Sequence, residues 1–221
     1  MDGLWLMIVD ITSLQAAIIE WLARDQDATL IARIPTFIQL AEAKFNRSLF
    51  CRHMEQRAVA MTDTTLTEPE FIALPVDFQS MRRIRLSGVA GKPRLEYKSG
   101  TELDEYRYMH GNTAGQPLFF TIFSSQIELA PTPDANYAVE MIYRQNVPPL
   151  ASNASNWIIE HYPDLYLYAA LLESAPYIKE DDRIQTWVLG FKTALDSINT
   201  LEQTTTFNAG PLTMRPSGVT P

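Results

Sequence analysis

Few residues in this chain have the type and spacing that chemistry needs. The three histidines are His53, His110 and His161, and none has a second ligand at helical spacing. The metal and redox patterns HExxH and CxxC are absent. Cys51 and His53 lie two residues apart at a helix end, where side chains at i and i+2 face apart. They read as a half-buried thiol and a solvated imidazole. A single cysteine excludes an internal disulfide and most Cys-based metal sites. His161-Tyr162-Pro163-Asp164 resembles a His–Asp pair, but its proline marks a helix start with Asp164 in the first turn. No phosphate loop, dinucleotide fingerprint or GxSxG elbow occurs. Glu68, Glu70 and Asp77 surround a proline-containing loop, and a glycosidase would need two such carboxylates at a fixed separation. No catalytic residue, cofactor site or metal ligand is assigned.

The one concentrated positive feature is Arg82-Arg83-Ile84-Arg85, followed by Lys92 and Arg94. On a strand, Arg83 and Arg85 share a face while Arg82 points the other way with Ile84 and Leu86. Arg83 and Arg85 are therefore the candidate surface for an acidic partner. The competing reading is a solvated strand whose charge is balanced by Glu96 and Glu102. Trp157, Tyr162, Tyr166 and Tyr168 form an aromatic group without interleaved Lys or Arg. They read as core or subunit interface rather than a base-stacking platform.

The elements that must position these residues differ along the chain. Over Ser13–Arg24, the residues Leu14, Ala17, Ile18, Trp21 and Leu22 form one helical stripe, with Thr12 and Gln15 as a capping box. A second helix is expected to open at Pro35, with Ile34, Phe37, Ile38, Ala41, Phe45 and Leu49 marking its apolar face. Residues 58–150 hold 8 of the 14 prolines and 5 of the 9 glycines, and there strand-like runs replace helical periodicity. The runs are Arg57–Met61, Ser80–Leu86, Arg94–Tyr97, Leu118–Phe123, Ile127–Ala130 and Tyr137–Arg144, with one short helix over Thr101–Met109. Ser124-Ser125 occupies the position of a hairpin turn. Helices resume at Asn156 and Pro163, with Leu165–Ala175 the most buried. A last helix is expected to be capped by Asp181 or Asp182 and to carry Ile184, Trp187, Val188, Phe191, Leu195, Ile198 and Leu201 on one stripe.

The fold class expected from this pattern is α+β. Residues 1–57 and 151–202 form a helical bundle, 58–150 an inserted β-rich domain, and 203–221 an extended C-terminal arm. The arm has no periodicity and should order only against a partner.

Charge narrows the function classes. Against 26 Asp and Glu stand 18 Lys and Arg, a net charge of −8, and none of the stretches 1–57, 58–150 and 151–221 is positive overall. That argues against broad electrostatic binding of nucleic acid. No apolar run approaches the roughly 20 residues of a membrane span. Met1–Val9 contains Asp2 and no basic residue, which argues against a secretory signal.

Five stretches in order resemble the head-to-tail adaptor (connector) proteins of tailed bacteriophages, podovirus type. They are Phe37–Arg47 (FIQLAEAKFNR), Ala73–Leu86 (ALPVDFQSMRRIRL), Gly115–Leu150 with LAPTPDANY inside it, Asn156–Asp182, and Gly210–Pro216 (GPLTMRP). The Ser124-Ser125 turn departs from the glycine-containing turn of the pattern. The resemblance implies a structural virion protein, assembled in the host cytoplasm, at the head-tail junction. It implies a homo-oligomeric ring, usually of twelve copies, docked to the portal protein and carrying tail or nozzle proteins. DNA would pass through the lumen without specific binding, and no membrane or cofactor is involved. Phe207, Leu212, Met214 and Arg215 would then anchor the arm to the portal or a neighbouring subunit. Enzymatic activity is not implied. The alternative from another class is a tail-associated cell-wall-degrading enzyme.

Overall fold

The computed structural model describes the backbone of residues 7–111, 113–178 and 182–207, and side chains as far as Glu202. Among these residues are six α-helices and two β-sheets, a mixed α+β protein. Two compact units are formed, one by residues 1–52 with 147–221 and the other by residues 53–146.

In the helical unit, α1 (Ile11–Leu22) starts two residues earlier than its apolar stripe suggests. Asp10 is extended and accepts from the Ser13 N–H at 2.7 Å, while the Ser13 hydroxyl accepts from the Asp10 N–H at 3.0 Å. The capping box is thus Asp10–Ser13 and not Thr12–Gln15. The carboxylate of Asp10 reaches the free N–H groups from outside the helix, whereas Thr12 is already inside it. Helix α2 (Ala28–Ser48) likewise begins at Asp27, whose carboxylate accepts from the Leu30 N–H at 3.0 Å.

Pro35 therefore lies inside α2 rather than opening it. An interior proline costs about 3 kcal/mol or more. Leu30, Ile34, Phe37, Ile38, Ala41 and Phe45 are buried along the same helix on both sides of it. At roughly 1.5–3 kcal/mol for each large apolar side chain, that burial outweighs the missing bond.

Helix α4 (Trp157–His161) is capped by Asn156, and α5 (Pro163–Ile178) packs against α1, α2, α4 and α6 (Ile184–Phe207). This central position is why α5 is apolar on most sides. Tyr166, fully buried, stands edge-on to Phe45 with ring centroids 4.9 Å apart. Along α6 the buried line is Trp187, Ala194, Ile198 and Glu202, whereas Val188 and Leu201 of the expected stripe are exposed. The helix starts at Ile184, directly after Arg183, so Asp182 is two residues before it and does not cap it. Asp181 lies outside the described residues. The backbone of Gln203–Phe207 continues α6, so those five residues are helix and not arm.

The second unit holds a three-stranded sheet, ordered β1-β7-β3, and a four-stranded sheet, ordered β2-β6-β5-β4. Strands β1 (Glu55–Met61), β3 (Phe78–Leu86) and β7 (Ala138–Gln145) are antiparallel neighbours. In the other sheet, β5 (Phe119–Phe123) and β6 (Gln126–Ala130) form a hairpin across Ser124-Ser125, with Ser124 at φ 55. Strands β2 (Phe71–Ala73) and β4 (Glu96–Tyr97) complete it. At three residues, β2 is too short to show a period-two signal. Ile84, Leu86, Val139, Met141 and Tyr143 from one sheet and Ile72, Phe120, Ile127 and Leu129 from the other make one apolar core.

Helix α3 (Gly100–His110) is held by a Ser99–Glu102 capping box. It is tied to β6 by an ion pair of Arg107 with Glu128, and Arg107 also donates to the Leu129 carbonyl at 3.0 Å.

Candidate partner interface

The arginine cluster lies on β3, and the register of the sheet decides what each member does. Val139, Met141 and Tyr143 face the core, so Glu140, Ile142 and Arg144 face outward. Arg85 is opposite Glu140 and Arg83 is opposite Ile142, which places both on that outer face as their spacing predicts. Arg82 is the exception. A register shift between Met81 and Arg83 makes a bulge, and a bulge breaks strict alternation. Arg82 pairs with Glu55 of β1 at 3.0 Å instead of pointing away from its neighbours.

Glu140 is buried and joins all three strands. Its Oε2 accepts from Arg57 at 2.8 Å, and its Oε1 accepts from Arg85 Nε and Nη2 at 2.7 and 2.6 Å. The Arg57 and Arg85 guanidiniums hold this carboxyl below the usual glutamate range. Charge on β3 is thus balanced by Glu55 and Glu140, not by Glu96 and Glu102. Glu102 is committed to capping α3, where bonds from Ser99 lower its pKa. Arg85 is a structural partner of Glu140. Arg83 makes no ion pair among the described residues, and its half-buried guanidinium has an Nε without a hydrogen-bond acceptor.

The remaining polar residues have local work. The Asp77 carboxylate accepts from the Tyr143 hydroxyl at 2.9 Å; burial, aided by Asp77, pushes that phenol up to about 12. In the helical unit, Glu42 accepts from the Leu150 N–H at 2.7 Å and from the Tyr166 hydroxyl at 3.2 Å. Burial raises the Glu42 pKa, and burial followed by the Glu42 charge raises that of Tyr166. Cys51 is buried rather than half-buried. His161 ends α4 and Pro163 opens α5, with Asp164 in its first turn. No group of three or more potential metal ligands occurs among the described residues. No helix among them is long and apolar enough to cross a membrane.

Of the proposed arm anchors, Phe207 ends the described part of α6, and its side chain lies outside the described residues together with Leu212, Met214 and Arg215. Glu140 is a bridging residue that residue spacing alone does not single out. The available signal was a lone acid at an alternating position within an apolar strand.

The curated proteins offer no match to this chain. A family-level comparison, by contrast, matches it almost from end to end, over residues 9–215. That span includes both terminal helical segments, the β-rich insertion and the stretch containing Leu212, Met214 and Arg215. The chain therefore belongs to the SU10 adaptor protein family, a family of phage head-to-tail adaptors.

Proposed function

We propose that this phage structural adaptor forms a ring between the portal and the tail, through which DNA passes and on which tail proteins dock. The family match over residues 9–215 is the observation that carries the reading. The ring would be homo-oligomeric, with twelve copies as the family resemblance implies. Exposed apolar residues support a protein with further surfaces to cover. In the helical unit Phe50, Leu189 and Leu201 are each more than half exposed. A closed ring buries two different faces of every copy, and such side chains supply apolar area for them.

In this reading Phe207, Leu212, Met214 and Arg215 anchor the C-terminal arm to the portal or to a neighbouring copy. An arm that docks in extended form gains affinity through main-chain hydrogen bonds and orders only on assembly. The deletion that tests this removes residues 208–221 and keeps α6 whole, because Glu202 accepts from the Arg52 backbone and side chain at 2.9 and 3.1 Å. The shortened protein should keep its far-UV spectrum and thermal transition. It should no longer co-sediment with the phage's portal protein, and undiminished co-sedimentation would remove the arm from the docking account.

A further inference from the structure

The β-rich unit is net acidic, with 9 Lys and Arg against 12 Asp and Glu over residues 53–146. Six of those nine basic residues are nevertheless gathered on one side. Arg57, Arg83, Arg85 and Arg144 lie on the outer face of the three-stranded sheet by register. Arg82 joins them through Glu55, and Arg94 is bridged to Arg85. Six arginines thus share a face with two glutamates, Glu55 and Glu140. Those two carboxylates engage Arg82, Arg57 and Arg85.

The same strand has an open edge. At Ile84 and Leu86, the outer edge of β3 is closed by hydrogen bonds with Leu95 and Pro93 at 3.2 and 3.0 Å. From Phe78 to Arg83 no strand pairs with that edge among the described residues. A cleft of about 620 Å³ runs along it, lined by Phe78, Met81, Phe120 and Ile122 together with Arg83 and Arg94. It offers a strand edge, apolar pockets and guanidinium groups not engaged by Glu55 or Glu140.

We propose that this cleft takes an extended segment of a partner protein in which carboxylates alternate with large apolar side chains. The segment would add to β3 as a further strand. Its apolar side chains would enter the cleft and its carboxylates would meet Arg83 and Arg94. Duplex DNA fits less well, because a phosphate backbone uses neither the apolar lining nor the strand edge, and the molecule carries −8 overall. Residues 208–221 contain no acid, so charge gives them no preference for this cleft. The inference does not depend on the arm or on the ring.

The test uses the full chain and three probes: a dye-labelled twelve-residue peptide alternating Glu with Val and Phe, its Gln-for-Glu counterpart, and a 20-base-pair DNA duplex. The Glu peptide should shift backbone amide resonances of Phe78–Arg83 and bind at least tenfold more tightly than the Gln peptide or the duplex. Arg83→Gln should weaken it at least fivefold. Arg94→Gln, at an exposed position, should weaken it in the same direction and serves if Arg83→Gln alters the thermal transition. The proposal is overturned if the amide shifts fall elsewhere, if neither variant weakens binding, or if the duplex binds more tightly than the peptide. It is also overturned if salt-sensitive self-association occupies the cleft and excludes the peptide.

Discussion

Glu140 and Arg85 face each other across β7 and β3, and both guanidinium nitrogens on the facing side of Arg85 donate to Glu140 Oε1, at 2.7 and 2.6 Å. The second oxygen of Glu140 accepts from Arg57 on the far strand. One buried carboxylate thereby ties the two edge strands of the sheet to its centre. Removing it leaves two guanidiniums facing each other without their shared counter-charge.

Glu140→Gln should therefore lower the urea midpoint of the β-rich unit at pH 7. The sign with pH follows from the direction of the shift. A carboxyl whose folded value is depressed adds stability above its ordinary value of 4.5 and loses it as pH falls through the lower folded value. The gap between wild type and variant should close in that acidic range. Equal midpoints at pH 7 would show the triad to be neutral.

Glu42 should behave in the opposite sense. Its folded value is raised by burial, so its stabilising share is complete below the unfolded value of 4.5 and is lost as pH rises through the raised folded value. Glu42→Gln keeps an oxygen for Leu150 and Tyr166 and removes the charge. The variant should be at least as stable as wild type at pH 7 and should lack this descending limb, as read by chemical unfolding at several pH values.

Asn156 has all its side-chain polar positions occupied. It donates to the Pro148 carbonyl at 2.8 Å and to the Tyr166 hydroxyl at 2.6 Å, and accepts from the N–H groups of Ile158 and Ile159 at 3.1 Å each. Asn156→Ala removes a helix cap and strands buried groups. The expected loss is about 2–4 kcal/mol by denaturant titration.

Gly190 is a packing requirement. A Cβ there would lie 2.9 Å from three carbons of the Tyr168 ring, which also stands edge-on to Trp21 with centroids 5.8 Å apart. Gly190→Ala gains up to about 1 kcal/mol of helix propensity and meets an overpacking cost of roughly 1–3 kcal/mol. A net loss of about 1 kcal/mol is expected, and adding Tyr168→Leu should recover it.

Strong local periodicity was readable. The stripes of α1 and α2, the buried character of α5 and the strand runs around β1, β3, β5, β6 and β7 all follow from residue spacing. The boundaries were harder to read where two local signals competed. Pro35 signals a helix start, yet buried neighbours on both sides carry α2 through it. Thr12 is a good cap, but Asp10 stands two residues earlier in the extended conformation a cap needs. In the candidate interface, the common face of Arg83 and Arg85 was legible from alternation. The place of Arg82 was not, because a bulge leaves no period of its own.

The sequence by itself determined the long helical and strand segments, though not β2 or the last residues of α6, since 3.6- and 2-residue periods are properties of neighbours along the chain. It also determined the acidic balance and the one arginine cluster. Only the tertiary structure decided which arginines are engaged. Glu140 is 55 residues from Arg85 and 83 from Arg57, and pairing over such separations is set by strand order and register rather than by local spacing. The same folding step that commits Arg85 to Glu140 leaves Arg83 in the cleft beside the open edge of β3.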